Sequence, residues 1–240
     1  MIVNIAEDHF EIIYQRAHGM LAAKIAEQLD PTVRPPADYW LETLVAIADH
    51  DDGRRGWEGD FHINDMGYPK DFTEFRFDEQ QAARVVSTAE CKSRWVAMLV
   101  SKHLVELYED LEEAQDLIQN QYALQAKLQM HLPFSEAASQ MYYRLMKWSD
   151  ELSLRICKHE IPVKGEKDFL ENLPDGSKSF ITHLEDKSVA PWVFQKDKVV
   201  FEVEKRIIEK RIYRDDKDLQ ETLNKSDVSI SSYKFIKEDA

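Results

Sequence analysis

Tyr39-Trp40-Leu41-Glu42-Thr43-Leu44-Val45-Ala46-Ile47-Ala48-Asp49-His50-Asp51-Asp52-Gly53 is the stretch on which the reading of this 240-residue chain turns. Leu41, Leu44, Val45, Ile47 and Ala48 make a short, very apolar helix, with Asp38 as its expected N-cap and Glu42 within the first turns. The helix ends by delivering His50 beside the carboxylates of Asp51 and Asp52. Imidazole plus carboxylate is a mixed nitrogen and oxygen ligand set for a divalent transition metal. Neighbours on a regular helix point about 100° apart. Two adjacent ligands therefore share an ion most easily where the helix stops and the chain turns, and Gly53 permits that turn.

The rest of the chain offers partners for the pair. Residues 6–29 read as a helix through Ile12, Ile13, Leu21, Ala22, Ile25 and Leu29, with His18 at or beside its apolar face and Asp30-Pro31 at its end. A helix over 94–109 puts His103 among Leu99, Val100 and Leu107. Ser135 caps a helix running to about residue 158. On it, Asp150 has Met146, Leu154 and Cys157 as helical neighbours, a costly place for a carboxylate unless it is paired or metal-bound. Each reading has a plain alternative: a hydrogen-bonded core histidine for His18 or His103, an ion pair with Lys147 or Arg155 for Asp150.

Other segments complete the expected organisation. Residues 53–77 form a loop with five aromatic phenylalanine and tyrosine side chains after Trp57, expected to be a lid or pocket wall. Asp78 caps a helix to about residue 91, and residues 110–130 continue as a solvated helix. Residues 161–179 read as a linker. Strands are expected over 180–184, 199–203 and 206–213, with tight turns at Asp197-Lys198 and Glu204-Lys205 and a short helix over 216–224. Residues 229–236 fit either a last strand or a tail. The expected fold is therefore mainly α: a helical metal-binding bundle over residues 1–160 and a smaller β-rich C-terminal segment over 180–240.

Composition narrows the function. With 45 acidic and 31 basic residues the net charge is −14, which argues against a nucleic-acid polymer as partner. A small phosphorylated ligand stays open, because a metal supplies local positive charge. Two cysteines, Cys91 and Cys157, imply no disulfide framework, so a cytoplasmic setting is expected. No basic leader and no membrane-length apolar run is visible. A homo-oligomer is compatible with the sequence.

His18, His50-Asp51 and Asp150 occur in chain order on three expected helices. This resembles the HD superfamily of metal-dependent phosphohydrolases, whose helical core gathers a histidine, a His-Asp pair and a later aspartate around a metal. More narrowly, Tyr14-Gln15-Arg16-Ala17-His18, His50-Asp51-Asp52-Gly53 with Trp57-Glu58, and Ser149-Asp150-Glu151-Leu152-Ser153-Leu154 look like a bacterial HD-like family of unknown function. The resemblance covers roughly residues 9–158, and Ala190-Pro191-Trp192 also fits it.

The resemblance implies a divalent ion (Mn, Fe, Zn or Mg) held by His18, His50, Asp51 and Asp150, and hydrolysis of a small phosphorylated metabolite or nucleotide. It implies that Asp52 or Glu58 handles protons or orients a ligand; a solvated acidic loop is the alternative for both. Many HD phosphodiesterases follow the pair with an apolar residue, then Gly and Lys. Here Asp52 takes the apolar place and no Lys follows Gly53, so Arg54 or Arg55 stands in for the usual phosphate contact. His103 is a second-metal ligand, a phosphate contact or a core residue. The competing functional class is a catalytically silent HD-fold module that senses a nucleotide or binds a protein partner.

Overall fold

The computed structural model describes residues 1–51 and 62–238. In chain order these form β1 (Ile2–Ile5), β2 (His9–Ile13), α1 (Gln15–Glu27), α2 (Ala37–Asp49), α3 (Glu79–Glu90), α4 (Arg94–Tyr108), α5 (Gln115–Gln129), α6 (Glu136–Cys157), β3 (Glu166–Asn172), β4 (Lys178–His183), β5 (Lys187–Ala190), β6 (Lys198–Glu209), α7 (Asp216–Lys225) and β7 (Val228–Ile236). All seven strands join one sheet in the order β1-β2-β6-β7-β5-β4-β3. Neighbours are antiparallel except β5 and β7, which meet parallel at Lys187 and Phe235. No described helix is long and apolar enough to cross a membrane.

The sheet corrects the expected fold class. The protein is an α/β structure with a large mixed sheet, not a mainly α bundle carrying a small C-terminal segment. Two features of the sequence conceal this. Ile12 and Ile13 fall in helical register with Leu21 and Ile25, so residues 9–13 pass as the start of α1. In the structure they form β2, and β1 and β2 extend the sheet beyond β6. Ile12 and Ile13 are both fully buried because strand neighbours face opposite sides. Ile13 enters the main core with Ile2, whereas Ile12 joins Phe10, Ile208, Tyr213, Leu219 and Leu223 beneath α7.

The second feature is Glu204-Lys205, which forms no turn. β6 runs unbroken for twelve residues, and Lys205 Nζ reaches Glu11 Oε1 on β2 at 2.6 Å. A charge pair across adjacent strands satisfies what looks in sequence like a polar break. The charged stretch over 166–172 likewise becomes β3, an edge strand, where charge guards against further pairing. Residues 228–236 are a strand, and Lys187–Ala190 adds one that the sequence does not announce.

Several helices begin at side-chain caps, whereas α1, α2 and α5 begin without one. Asp78, Ser93 and Ser135 accept hydrogen bonds from the first backbone N–H groups of α3, α4 and α6. For α2 the N-cap is Pro36, and Asp38 sits inside the first turn. Buried hydrogen bonds fix the helices that carry the candidate ligands. Trp95 Nε1 on α4 donates to Thr43 Oγ1 on α2 at 2.8 Å, and Trp148 Nε1 on α6 donates to Ser179 Oγ on β4 at 2.7 Å.

α1 and α2 meet through their main chains. A methyl group added at Gly19 would lie 2.4 Å from the carbonyl oxygen of Ala48, so only glycine permits this approach. Gly19→Ala is expected to destabilise the fold by about 3 kcal/mol, read as a lower denaturant midpoint. Adding Ala48→Gly should not restore it, because the obstacle is backbone. The cysteines give a second check. Cys157 is buried, and burial together with the nearby Asp150 carboxylate pushes its thiol up to about 12, whereas Cys91 is exposed. One thiol per chain is expected to react with a disulfide reagent in the native state and two in denaturant; two reactive native thiols would contradict this packing.

Candidate metal centre

Four helices converge on one point. α1 supplies His18, the end of α2 supplies His50 and then Asp51, α4 supplies His103, and α6 supplies Asp150. His18 and His50 are essentially inaccessible to solvent. Their rings stand edge to face with centroids 5.4 Å apart, and His50 and His103 do the same at 4.8 Å. Asp150 Oδ1 lies 2.9 Å from His18 Nε2 and 3.1 Å from His50 Nε2. Asp51 Oδ2 lies 3.4 Å from His50 Nε2, and Asp51 Oδ1 lies 4.0 Å from His103 Nε2.

These contacts are close but are not hydrogen bonds. Among the described residues His18 Nε2, His50 Nε2 and Asp150 Oδ1 are all buried without a hydrogen-bond partner. Each sits within reach of another, yet none meets the directionality a shared hydrogen requires. His50 explains part of this. Its Nδ1 lies 2.7 Å from the carbonyl oxygen of Ile47, one of the carbonyls that a helix end leaves unpaired. A carbonyl only accepts, so Nδ1 carries a hydrogen, and in its neutral form His50 would turn a bare lone pair toward Asp150.

The donor set fits a metal ion. The atoms of His18, His50 and Asp51 lie within 4.8 Å of one another, as do those of His50, His103 and Asp150. Bonds of about 2.1 Å set at right angles put adjacent donor atoms about 3.0 Å apart, close to the 2.9 and 3.1 Å found around Asp150. His50 belongs to both groups, and with its Nδ1 against the Ile47 carbonyl it has one nitrogen left to offer, so it serves one ion.

Electrostatics support a buried positive charge. Burial opposes protonation of His50, but the carboxylates of Asp150 and Asp51 hold its ring well above the usual histidine range. Burial would raise the Asp150 carboxyl, yet the rings of His50 and His18 hold it well below the usual carboxylate range. Asp51 is lowered against burial by His50 and His103. Burial and the charge on His50 push His103 down to about 4, so it is neutral at neutral pH.

The ordinary alternatives for Asp150 do not occur. Lys147 pairs with Glu106 and Glu171, and Arg155 pairs with Glu151. On its Asp51 side the centre opens into a cavity of about 250 Å³ with Gln15, Asp51, His103 and Asp150 at its floor. Phe75, Phe77, Tyr108 and Arg76 stand on its wall.

Of the residues singled out in the sequence, His18, His50, Asp51, His103 and Asp150 lie together. Asp52, Arg54, Arg55 and Glu58 lie outside the described residues. Three neighbours escape sequence reasoning. Gln15, one turn before His18, donates from Nε2 to Asp51 Oδ2 at 2.8 Å and leaves its Oε1 buried and, among the described residues, unpartnered. Ser153, one turn after Asp150, places its hydroxyl 2.6 Å from His18 Nδ1. The i+3 spacing was the available signal for both. Arg76 carried none, since it comes from an irregular segment.

No curated protein and no solved structure matches the chain. Residues 1–210 match the model of a family described as "Protein of unknown function (DUF3891)", and the chain belongs to that family.

Proposed function

We propose that the protein is a metal-dependent hydrolase of a small phosphorylated metabolite or nucleotide, with an HD-type centre carried by its helical layer. The observation that carries this reading is the buried meeting of His18 Nε2, His50 Nε2 and Asp150 Oδ1, unpartnered among the described residues, with Asp150 also lining a cavity. Histidine followed by His-Asp and a later aspartate is also the HD order. His18, His50, Asp51 and Asp150 would hold the ion. The three neighbouring imidazoles favour Mn, Fe or Zn over Mg, which prefers oxygen. Such an ion would lower the pKa of a bound water and polarise a phosphoryl oxygen.

The chain's own side chains divide the remaining work. Gln15 donates to Asp51, holding that carboxylate in orientation, and its free Oε1 can accept a hydrogen bond from the attacking water. Arg76 on the cavity wall suits a phosphate oxygen. Among the described residues it makes no ion pair that would have to break first. His103, neutral and with Nδ1 unpartnered among the described residues, can offer a hydrogen bond or a further metal lone pair. Asp52 and Glu58 remain candidates for handling protons, and Arg54 and Arg55 for phosphate contact.

Metal analysis of the purified protein is expected to find a tightly held transition ion, with His50→Ala losing it. Added Mn²⁺ or Zn²⁺ should raise the melting temperature of the stripped wild type, by about 2.7 kcal/mol of stabilisation at a hundredfold excess over Kd, and leave His50→Ala unmoved. Equal metal content in the two proteins would remove the centre. A phosphomonoester and phosphodiester panel then tests the reaction. Arg76→Ala is expected to raise KM about tenfold or more with little change in kcat, as loss of a charged contact to bound substrate should. Ligand-induced stabilisation without turnover across the panel would favour a sensing module instead.

A further inference from the structure

The two histidines facing Asp150 are held from behind by groups of different chemistry. Behind His50 stands the Ile47 carbonyl, which can only accept. Behind His18 stands the Ser153 hydroxyl, 2.6 Å from Nδ1, which can donate or accept. Ser153 Oγ also lies 2.9 Å from the backbone carbonyl oxygen of Asp150. The hydroxyl has one hydrogen and two places to put it.

The choice decides whether His18 can bind a metal. With the hydroxyl hydrogen aimed at a bare Nδ1, Ser153 is the donor, His18 carries its own hydrogen on Nε2, and no lone pair faces Asp150. With the hydrogen turned to the Asp150 carbonyl, Oγ is free to accept from His18 Nδ1–H, and Nε2 presents a lone pair. The packing favours the second state. His18 Nε2 and Asp150 Oδ1 are 2.9 Å apart but lack hydrogen-bond geometry, so a hydrogen on Nε2 would be poorly used. Ser153 is wholly buried, so no solvent competes for its hydroxyl.

We infer that Ser153 is a positioning residue that sets His18 in its metal-ligating tautomer by turning its hydroxyl from the imidazole to the Asp150 carbonyl. The inference rests on the metal-centre reading above. The balance is simple: one N–H bond is lost at Nε2, one is gained at Nδ1 by exchange with solvent, and the ring keeps its proton count. One hydroxyl thereby couples the ring of the first ligand in the chain to the backbone of the last.

The test is Zn²⁺ affinity by chelator competition in wild type, Ser153→Ala, His18→Gln and the double variant, with melting of the metal-free proteins measured alongside. Ser153→Ala is expected to bind Zn²⁺ about ten- to a hundred-fold more weakly, as loss of a group that orients a ligating histidine does. The metal-free melting temperature should stay near wild type. In the His18→Gln background the same change should have no further effect, because Ser153 acts through His18. Ser153→Ala binding as tightly as wild type overturns the inference and leaves the metal centre standing. A loss that persists without His18 also overturns it. A wild type with no Zn²⁺ affinity overturns the metal centre and this inference together.

Discussion

A carboxylate oxygen buried among imidazole nitrogens, with no hydrogen properly shared between them, is the constraint around which the helical layer is arranged. Taking Asp150 out of water costs several kcal/mol, and the ordinary remedies are absent: the nearby lysine and arginine serve other acids. What offsets the cost is positive charge on the same point. The carboxylates of Asp150 and Asp51 draw the His50 ring toward its protonated form. A divalent ion would satisfy every convergent atom at once, where a proton can serve only one pair of them.

The sheet keeps this arrangement in place from outside. α6 carries Asp150 and Ser153 on a helix pinned to β4 through Trp148 and Ser179, and Ser179 in turn donates to the Glu171 carbonyl on β3. α1 follows directly from β2, which pairs with β6. The ligands of the first and last helices are therefore both referenced to one sheet whose strands come from the two ends of the described chain. Loss of sheet pairing far from the cavity would move His18 relative to Asp150.

How much of this was legible depends on the range of the signal. The centre was largely legible because its members combine an ionisable side chain with an apolar helical face, as His18, His103 and Asp150 each do. Helix starts at Asp78 and Ser135 were legible because capping is decided within four residues. The sheet was not. β2 is defined by its partner β6, almost 200 residues away, and the five residues His9-Phe10-Glu11-Ile12-Ile13 fit a helix equally well in isolation. Glu204-Lys205 resembles a turn until Glu11 is known to face Lys205. Gln15 and Ser153 were passed over because neutral polar side chains carry no mark of their role until their partners are in view.

The contact between Gly19 and Ala48 has a consequence for how the centre behaves in motion. Gly19 follows His18 directly and Ala48 precedes His50 by two residues. The two helices touch there by main chain, so the distance between the imidazoles is set by peptide groups rather than by side chains that exchange rotamers. Most helix pairs are kept apart by the side chains packed between them. Here none intervenes beside the first two histidines. Their spacing has the stiffness of the backbone itself, and drift elsewhere in the apolar core can change the stability of the protein while leaving the bite of the pair the same.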